Sequence, residues 1–251
     1  MGTKDNFTGK AAIYSEYRSN YPMAYINYLI QSNKLSSNHT VADIGSGTGI
    51  LTKQLLDTDL KVMAIEPNDD MRTTAEKELN HYSKFTSLNA AAEHTQLPDK
   101  SIDLITVAQA FHWFDKEQFQ LECQRILKQD ANVALVWNSR DSSSELVIEN
   151  AAICRKYCPS FKGFSGGIEE TPEMYQQFFR NGEYEYKVFE YHLEFDLNHF
   201  IGRNLSASYA LKQTDEHYTA FIHSLSELYA KYSKNDVLIM PNLTRSYMGN
   251  V

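Results

Sequence analysis

Thr40-Val41-Ala42-Asp43-Ile44-Gly45-Ser46-Gly47-Thr48-Gly49-Ile50-Leu51-Thr52 is the stretch that decides the fold. Its opening is short, apolar and β-branched, and reads as a buried strand ending at Ile44. A glycine-rich turn follows, and then a helix starting near Ile50. Glycines in such a turn let the backbone adopt positive φ and approach a ligand with no side chain between. The helix behind the turn presents free N–H groups to whatever sits there.

Working outward, Lys61-Val62-Met63-Ala64-Ile65-Glu66 reads as a second buried strand with an acid at its end. Glu66 follows the glycines by about 20 residues, the spacing at which a carboxylate grips a ribose diol. Glycine turn and acid together imply a nucleoside-containing cofactor on a doubly wound sheet. The pattern is G-x-G-x-G, and position 50, where the dinucleotide fingerprint has its last glycine, is Ile50. Asp43, just before the turn, would repel a pyrophosphate and suits a ligand carrying an amine, paired directly or through water.

With those residues in view, Asp43-Ile44-Gly45-Ser46-Gly47-Thr48-Gly49 resembles motif I of the class I S-adenosylmethionine (SAM)-dependent methyltransferases. Ala64-Ile65-Glu66-Pro67-Asn68-Asp69-Asp70-Met71 resembles their second motif, and Ala90-Ala91-Ala92-Glu93-His94 their third, where the adenine is held. Ala108-Gln109-Ala110-Phe111-His112-Trp113-Phe114-Asp115 resembles the signature after strand 4 in a subgroup that includes trans-aconitate methyltransferase. Phe7 to Pro22 resembles that subgroup's N-terminal cap, a segment folded over the cofactor.

The resemblance implies a set of site residues. Tyr17, Arg18, Asp43, Gly45, Ser46, Gly47, Glu66, Pro67, Met71, Ala92, Glu93, Ala108 and Gln109 would bind the cofactor, with Arg18 on the methionine carboxylate. Tyr14, Phe111, Trp113 and Arg203 would face the substrate, and His112 would be the catalytic residue. Each has a plainer reading beside it: an aromatic cluster after a strand also packs cores, His112 also suits a hydrogen bond to a carbonyl, and Arg203 also reads as an exposed helix arginine. Aromatic faces beside a sulfonium are physically sensible because ring quadrupoles attract cations. Methyl transfer to a carboxylate needs no base, so proximity and alignment carry much of that chemistry.

Composition bounds the answer. The chain has 251 residues, suited to one large domain, and a formal net charge of −8 from 24 basic and 32 acidic residues. That balance speaks against a nucleic-acid backbone as partner. No apolar run approaches the roughly 20 residues that span a bilayer. Met1 to Lys10 lacks the apolar core of a signal peptide, so the expected location is cytoplasmic. Three cysteines, Cys123, Cys154 and Cys158, fit a reducing compartment and do not form a metal pattern.

Along the chain, residues 1–39 form an N-terminal cap with a helix over 23–32. Residues 40–138 alternate strands (41–44, 62–66, 85–90, 102–108, 133–138) with helices (50–57, 69–80, 117–127) and form the cofactor-binding core. Residues 141–210 are an insertion after strand 5 on the substrate side, with helices over 145–157 and 172–181, one strand over 184–196 and a helix over 199–209. Residues 211–251 supply a helix over 219–232 and one closing strand over 236–247 containing Pro241. By the resemblance, the fold is a Rossmann-like, doubly wound, seven-stranded, mostly parallel α/β sheet with helices on both faces and an antiparallel seventh strand, in a single domain.

The function implied is methyl transfer from SAM, leaving S-adenosylhomocysteine (SAH), to the carboxylate or hydroxyl of a small molecule. No metal, nucleic acid or membrane takes part, and the protein is a monomer or dimer. Two alternatives stand beside it: a non-catalytic SAM-binding protein and an NAD-linked oxidoreductase.

Overall fold

The computed structural model describes residues 19–164, 172–207 and 209–251. Helix α1 (Met23–Ser32) leads into β1 (Thr40–Ile44), α2 (Ile50–Leu56), β2 (Lys61–Ile65), α3 (Asp69–Leu79) and β3 (Phe85–Leu88). After a long loop come β4 (Ile102–Ala108), a single 3-10 turn (Phe111–Trp113), α4 (Lys116–Ile126) and β5 (Leu127–Arg140). The second half holds α5 (Glu145–Tyr157), α6 (Pro172–Phe178), β6 (Glu185–Glu190), β7 (Leu193–Phe195), α7 (Leu197–Leu205), α8 (Tyr218–Tyr232), β8 (Leu238–Met240) and β9 (Asn242–Gly249).

Seven strands form one sheet in the order β3-β2-β1-β4-β5-β9-β6. Pairs from β3 through β5 are parallel, and β9 runs antiparallel to both of its neighbours. This is the Rossmann-like, doubly wound sheet expected. The chain enters at β1, winds out to β3 and returns to β4 beside β1, with Asp43 opposite Thr106. A crevice therefore opens at the carboxyl ends of β1 and β4, the switch point where ligands bind such sheets.

Strand pleating sends alternate side chains to opposite faces, and each face has its own core. Val41, Val62, Leu104, Ala134 and Val136 pack against α1, α2 and α3 through Ile26, Leu29, Leu51, Leu55, Ala75 and Leu79. On the other face, Ile44, Ile105, Val107, Leu135 and Trp137 meet α4 and α6 through Phe119, Cys123, Tyr175 and Phe178. A third cluster lies apart from the sheet and joins α5, α7, α8 and the β7–β8 pair.

Four readings of the sequence need correction. The strand expected over 184–196 is two strands, β6 in the large sheet and β7 in the small one, parted at Tyr191-His192. The closing strand over 236–247 is likewise two, β8 and β9. Pro241 between them has no N–H for a ladder, while its carbonyl accepts the Asp141 N–H at 3.0 Å. The polar helix over 172–181 ends at Phe178, and Tyr175, Phe178 and Phe179 are buried on the sheet. Strand β5 begins at Leu127, six residues before the expected 133, because Lys128, Gln129 and Asp130 are exposed and carry no apolar alternation. Among the described residues, no helix is long and apolar enough to cross a membrane.

The loop from β3 to β4 is held from outside the sheet. Glu122 of α4 accepts hydrogen bonds from the Thr95 N–H (2.7 Å) and hydroxyl (2.5 Å), while Arg125 binds Glu122 (2.8 Å) and the Leu97 carbonyl (2.8 Å). Burial pushes the Glu122 carboxyl up, but these donors outweigh it and hold it at about 2. A carboxylate so depressed stabilises the fold at pH values above the ordinary 4.5, and that contribution disappears as the pH falls through about 2. Glu122→Gln should therefore lose about 1–3 kcal/mol near neutral pH. Its deficit against the parent should shrink steadily between about 4.5 and about 2 in thermal melts followed by circular dichroism. A deficit independent of pH would show that the charge is not what Glu122 contributes.

Candidate functional site

The glycine turn after β1 is built from three left-handed residues, Gly45 (φ +69°), Gly47 (φ +57°) and Gly49 (φ +83°). Their reasons differ. A Cβ on Gly45 would stand 2.6 Å from the Ala110 Cβ, and one on Gly49 would stand 2.7 Å from Leu79 Cδ1. A Cβ on Gly47 would meet nothing within 4 Å. Gly45 and Gly49 thus serve close packing, and Gly47 borders open space.

That space is a cleft in two connected lobes over the carboxyl ends of β1, β2 and β4. The larger takes in about 900 Å³ of space, the open solvent at its mouth included. Gly45 and Gly47 form its floor, Glu66, Pro67 and Met71 one wall, Ala92 and Glu93 the far end, and Ala108, Gln109, Trp113 and Phe114 the near side. The smaller lobe, about 410 Å³, lies between Ser19, Tyr21, Ser46, Thr48 and Gln109.

Glu66 sits at the end of β2 and is nearly buried. Its two oxygens accept the Gly47 N–H (3.0 Å) and the Asn68 N–H (2.7 Å), so one carboxylate ties the turn after β1 to the turn after β2. Asn68 then caps α3 by accepting the Met71 N–H at 3.0 Å. At the far end, the Glu93 carboxylate accepts the Asp115 N–H at 2.9 Å. Gln109 lines both lobes and has φ +56°, a strained conformation for a residue with a side chain, held by its N–H to the Val136 carbonyl at 2.9 Å. Strain of this kind, about 1–3 kcal/mol, gathers at binding sites.

Other residues singled out in the sequence lie elsewhere. Asp43 is fully buried beneath the turn and lines neither lobe. Its oxygens accept the hydroxyls of Thr52 (2.6 Å) and Thr106 (2.9 Å), and burial pushes its carboxyl up to about 6. Phe111, read as a substrate contact, is fully buried among Phe114, Phe119, Trp137 and Phe178, because the 3-10 turn points it into the core. Its neighbour Trp113 is 40% exposed at the cleft. His112 is half-buried beside Trp113, with ring centroids 4.7 Å apart. Burial and the nearby Lys116 ammonium hold its imidazole down at about 4. Its Nδ1 has no hydrogen-bond partner among the described residues. Arg203 lies on α7, outside both lobes. Tyr14, Tyr17 and Arg18 fall outside the described residues.

The structure adds Thr48, Asn68 and Tyr21 to the cleft. Thr48 between the glycines and Asn68 before Asp69-Asp70 stand inside the two motifs and were not singled out there. Tyr21 lies in the Phe7–Pro22 stretch that resembles the cap, but its residue type alone did not single it out. It reaches the cleft because Gln54 of α2 clamps its N–H (2.8 Å) and carbonyl (2.7 Å). The hydroxyls of Ser46 and Thr48 are buried without a partner among the described residues. Two orphaned hydroxyls, a glycine over open space and a carboxylate at the next strand end suit a polar, nucleoside-bearing ligand. Among the described residues, no group of three or more His, Cys, Asp or Glu is placed to hold a metal ion.

Residues 42–135 match the family model described as a methyltransferase domain. This segment is therefore a methyltransferase domain, as the resemblance of its glycine turn implied. An uncharacterized methyltransferase of Mycobacterium tuberculosis is 33% identical over 136 residues, covering 54% of this chain and 53% of that protein. The chain thus spans about half the length of the curated relatives it matches. Among solved structures, a protein of Anaeromyxobacter dehalogenans, named provisionally as a type II methyltransferase, has a TM-score of 0.69 at 19% identity, covering 93% of this chain and 98% of that one. Haemonchus contortus phosphoethanolamine N-methyltransferase 2, solved with S-adenosyl-L-methionine, has a TM-score of 0.56 at 13% identity, covering 100% of this chain and 61% of that one. These two likenesses concern the fold.

The glycines provide a test of the cleft floor. Gly47→Ala should cost about 1 kcal/mol, the penalty of a left-handed residue with a side chain. Gly45→Ala should lose a further 1–3 kcal/mol or so, because its Cβ meets Ala110. Urea denaturation of both variants measures the difference. Equal losses would mean that the close approach at Gly45 is not a constraint.

Proposed function

We propose that the chain is a SAM-dependent methyltransferase acting on a small-molecule acceptor. The observation that carries this reading is the two-lobed cleft over β1, β2 and β4, with Gly47 open beneath it and the Glu66 carboxylate at its wall. Glu66 would hold the ribose hydroxyls, and Ala92 and Glu93 the adenine edge, where a carboxylate can accept from an exocyclic amine. Ser46, Thr48 and the N-terminal turn of α2 would hold the amino-acid end in the smaller lobe. Tyr21 at the smaller lobe and Trp113 and Phe114 at the larger give aromatic faces suited to a cation, above the buried Asp43 carboxylate. When bound, SAM supplies an electrophilic methyl group on a sulfonium.

The chain's own residues orient the acceptor and keep water out. We assign the acceptor atom to a carboxylate or hydroxyl oxygen, as in the trans-aconitate methyltransferase subgroup that the segment around Gln109 resembles. Tyr14, Tyr17 and Arg18 belong to this proposal as a cap over the cofactor. His112 stays neutral at physiological pH because burial and Lys116 disfavour its imidazolium. A neutral imidazole has a lone pair for a hydroxyl proton, but one held at about 4 is a weak base, and a carboxylate acceptor does not need the step. A non-catalytic SAM-binding protein would use the same cleft and is separated from this reading by turnover. An NAD-linked enzyme is disfavoured by Ile50 at the place of the third glycine and by the family match.

Calorimetry should show SAH binding and no NAD binding. Glu66→Ala should weaken SAH by about 1–3 kcal/mol, and Glu66→Gln by less, because an acceptor remains. Folded Glu66 variants that bind SAH like the parent would remove Glu66 from the ribose. Tight NAD binding without SAH binding would overturn the whole reading.

His112 gives a separate outcome. Its ring proton resonances should titrate at about 4, far below 6.5, and any acid limb of turnover that depends on it should fall there too. A limb near 6.5 that disappears in His112→Asn would contradict the neutral, buried imidazole.

A further inference from the structure

Strand β6 forms one edge of the large sheet, and among the described residues β9 is its only partner strand. Its register against β9 runs from Glu185 to Glu190 without a bulge, and the strand holds no proline. Just past it, Tyr191 donates its N–H to the Asn242 carbonyl at 2.9 Å. In an antiparallel ladder such a bonded pair recurs at every second residue, so Glu185, Lys187 and Phe189 turn their backbone groups toward β9. Tyr186, Val188 and Glu190 turn theirs outward along the free edge.

The two faces of this edge differ, since residues two apart share a face. Toward α1, the Glu185 carboxylate accepts the Tyr28 hydroxyl hydrogen at 2.5 Å and lies 3.0 Å from the Lys187 ammonium. That ammonium stands 4.3 Å from the Tyr28 ring centroid. The Tyr28 hydroxyl and Lys187 hold the Glu185 carboxyl below its ordinary value, so it is charged at neutral pH. Both charged side chains remain nearly half exposed. On the other face Tyr186 and Val188 are 48% and 44% exposed, with the Tyr186 ring 4.9 Å from that of Tyr247. Tyr184 meets the same Tyr247 ring at 5.7 Å.

A straight edge of this kind recruits another strand unless something blocks it, and an edge lysine is a usual block. Here Glu185, two residues before Lys187, changes the outcome for a second copy of the chain. Antiparallel pairing of β6 with itself must oppose one outward residue to another. A register centred on Glu185 or Lys187 sets like charges together, and one centred on Val188 or Phe189 leaves Lys187 opposite an aromatic ring. The register centred on Tyr186 sets Glu185 of each copy opposite Lys187 of the other. On the opposite face it sets Tyr186 against Tyr186 and Val188 against Tyr184. Opposite charges, paired aromatics and an aromatic against a β-branched residue are the cross-strand pairs that stabilise sheets.

We propose that β6 is a self-association edge: two copies of the chain pair β6 with β6, antiparallel, about a two-fold axis at Tyr186. The interface is isologous, with each contact made twice, and the large sheet continues through both copies. No residue of β6 lines either lobe of the cleft.

Sedimentation velocity of the full chain over a range of concentrations tests this. The parent should form a dimer whose share rises with concentration. Val188→Pro removes an outward N–H that the β9 ladder does not use, and should leave a folded monomer. Lys187→Glu brings two carboxylates together at each contact and Glu185→Lys two ammoniums, so each should weaken association roughly tenfold or more. Mixed in equal amounts, these two variants should recover the dimer, because every contact again joins opposite charges. Loss in each variant with recovery in the mixture is the pattern that the Tyr186-centred register requires. If Val188→Pro lowers the melting temperature seen by circular dichroism, the two exposed charge variants carry the test. A parent that stays monomeric at every concentration, a dimer that persists in the folded variants, or a mixture that stays monomeric would overturn the proposal.

Discussion

The fold turns on a buried carboxylate that two threonine hydroxyls hold. Asp43 lies under the glycine turn and takes hydroxyl hydrogens from Thr52 on α2 and Thr106 on β4. Those bonds join β1, the helix behind it and the returning strand at the one place where the sheet changes direction. A carboxylate buried there is costly, as its upward shift to about 6 records. The two threonines lower that cost and fix the height of the turn above the strands. Everything that lines the cleft is placed relative to this junction.

From it the cleft is stiffened in stages. Glu66 joins the first turn to the second through two backbone N–H groups. Gln109 is held in a left-handed conformation by β5. Glu122 and Arg125 of α4 hold the loop that carries Ala92 and Glu93. Each contact fixes backbone: Glu66 and Glu122 accept backbone N–H groups, Arg125 donates to the Leu97 carbonyl, and the Gln109 N–H meets the Val136 carbonyl. Binding groups presented on backbone fixed in this way lose little freedom when a ligand arrives.

How far the sequence reached can be followed residue by residue. Periodicity and glycine punctuation determined the alternation from β1 to β4, the turn at Gly45 to Gly49, and the acid at Glu66, because each is a local pattern whose meaning survives without neighbours. Gly47 was legible on the same ground, and Met71, Ala92, Glu93, Gln109 and Trp113 through the motifs' resemblance to the methyltransferase family; all border the cleft. Other placements were decided only by the tertiary structure. Asp43 turned inward because two threonines from distant segments met it, and Phe111 turned into the core because Phe119, Trp137 and Phe178 were there to receive it. Pro241 divided one apparent strand between two sheets, since a missing N–H acts only where a partner strand would have used it. Long-range packing of this kind leaves no periodic signature in a single chain.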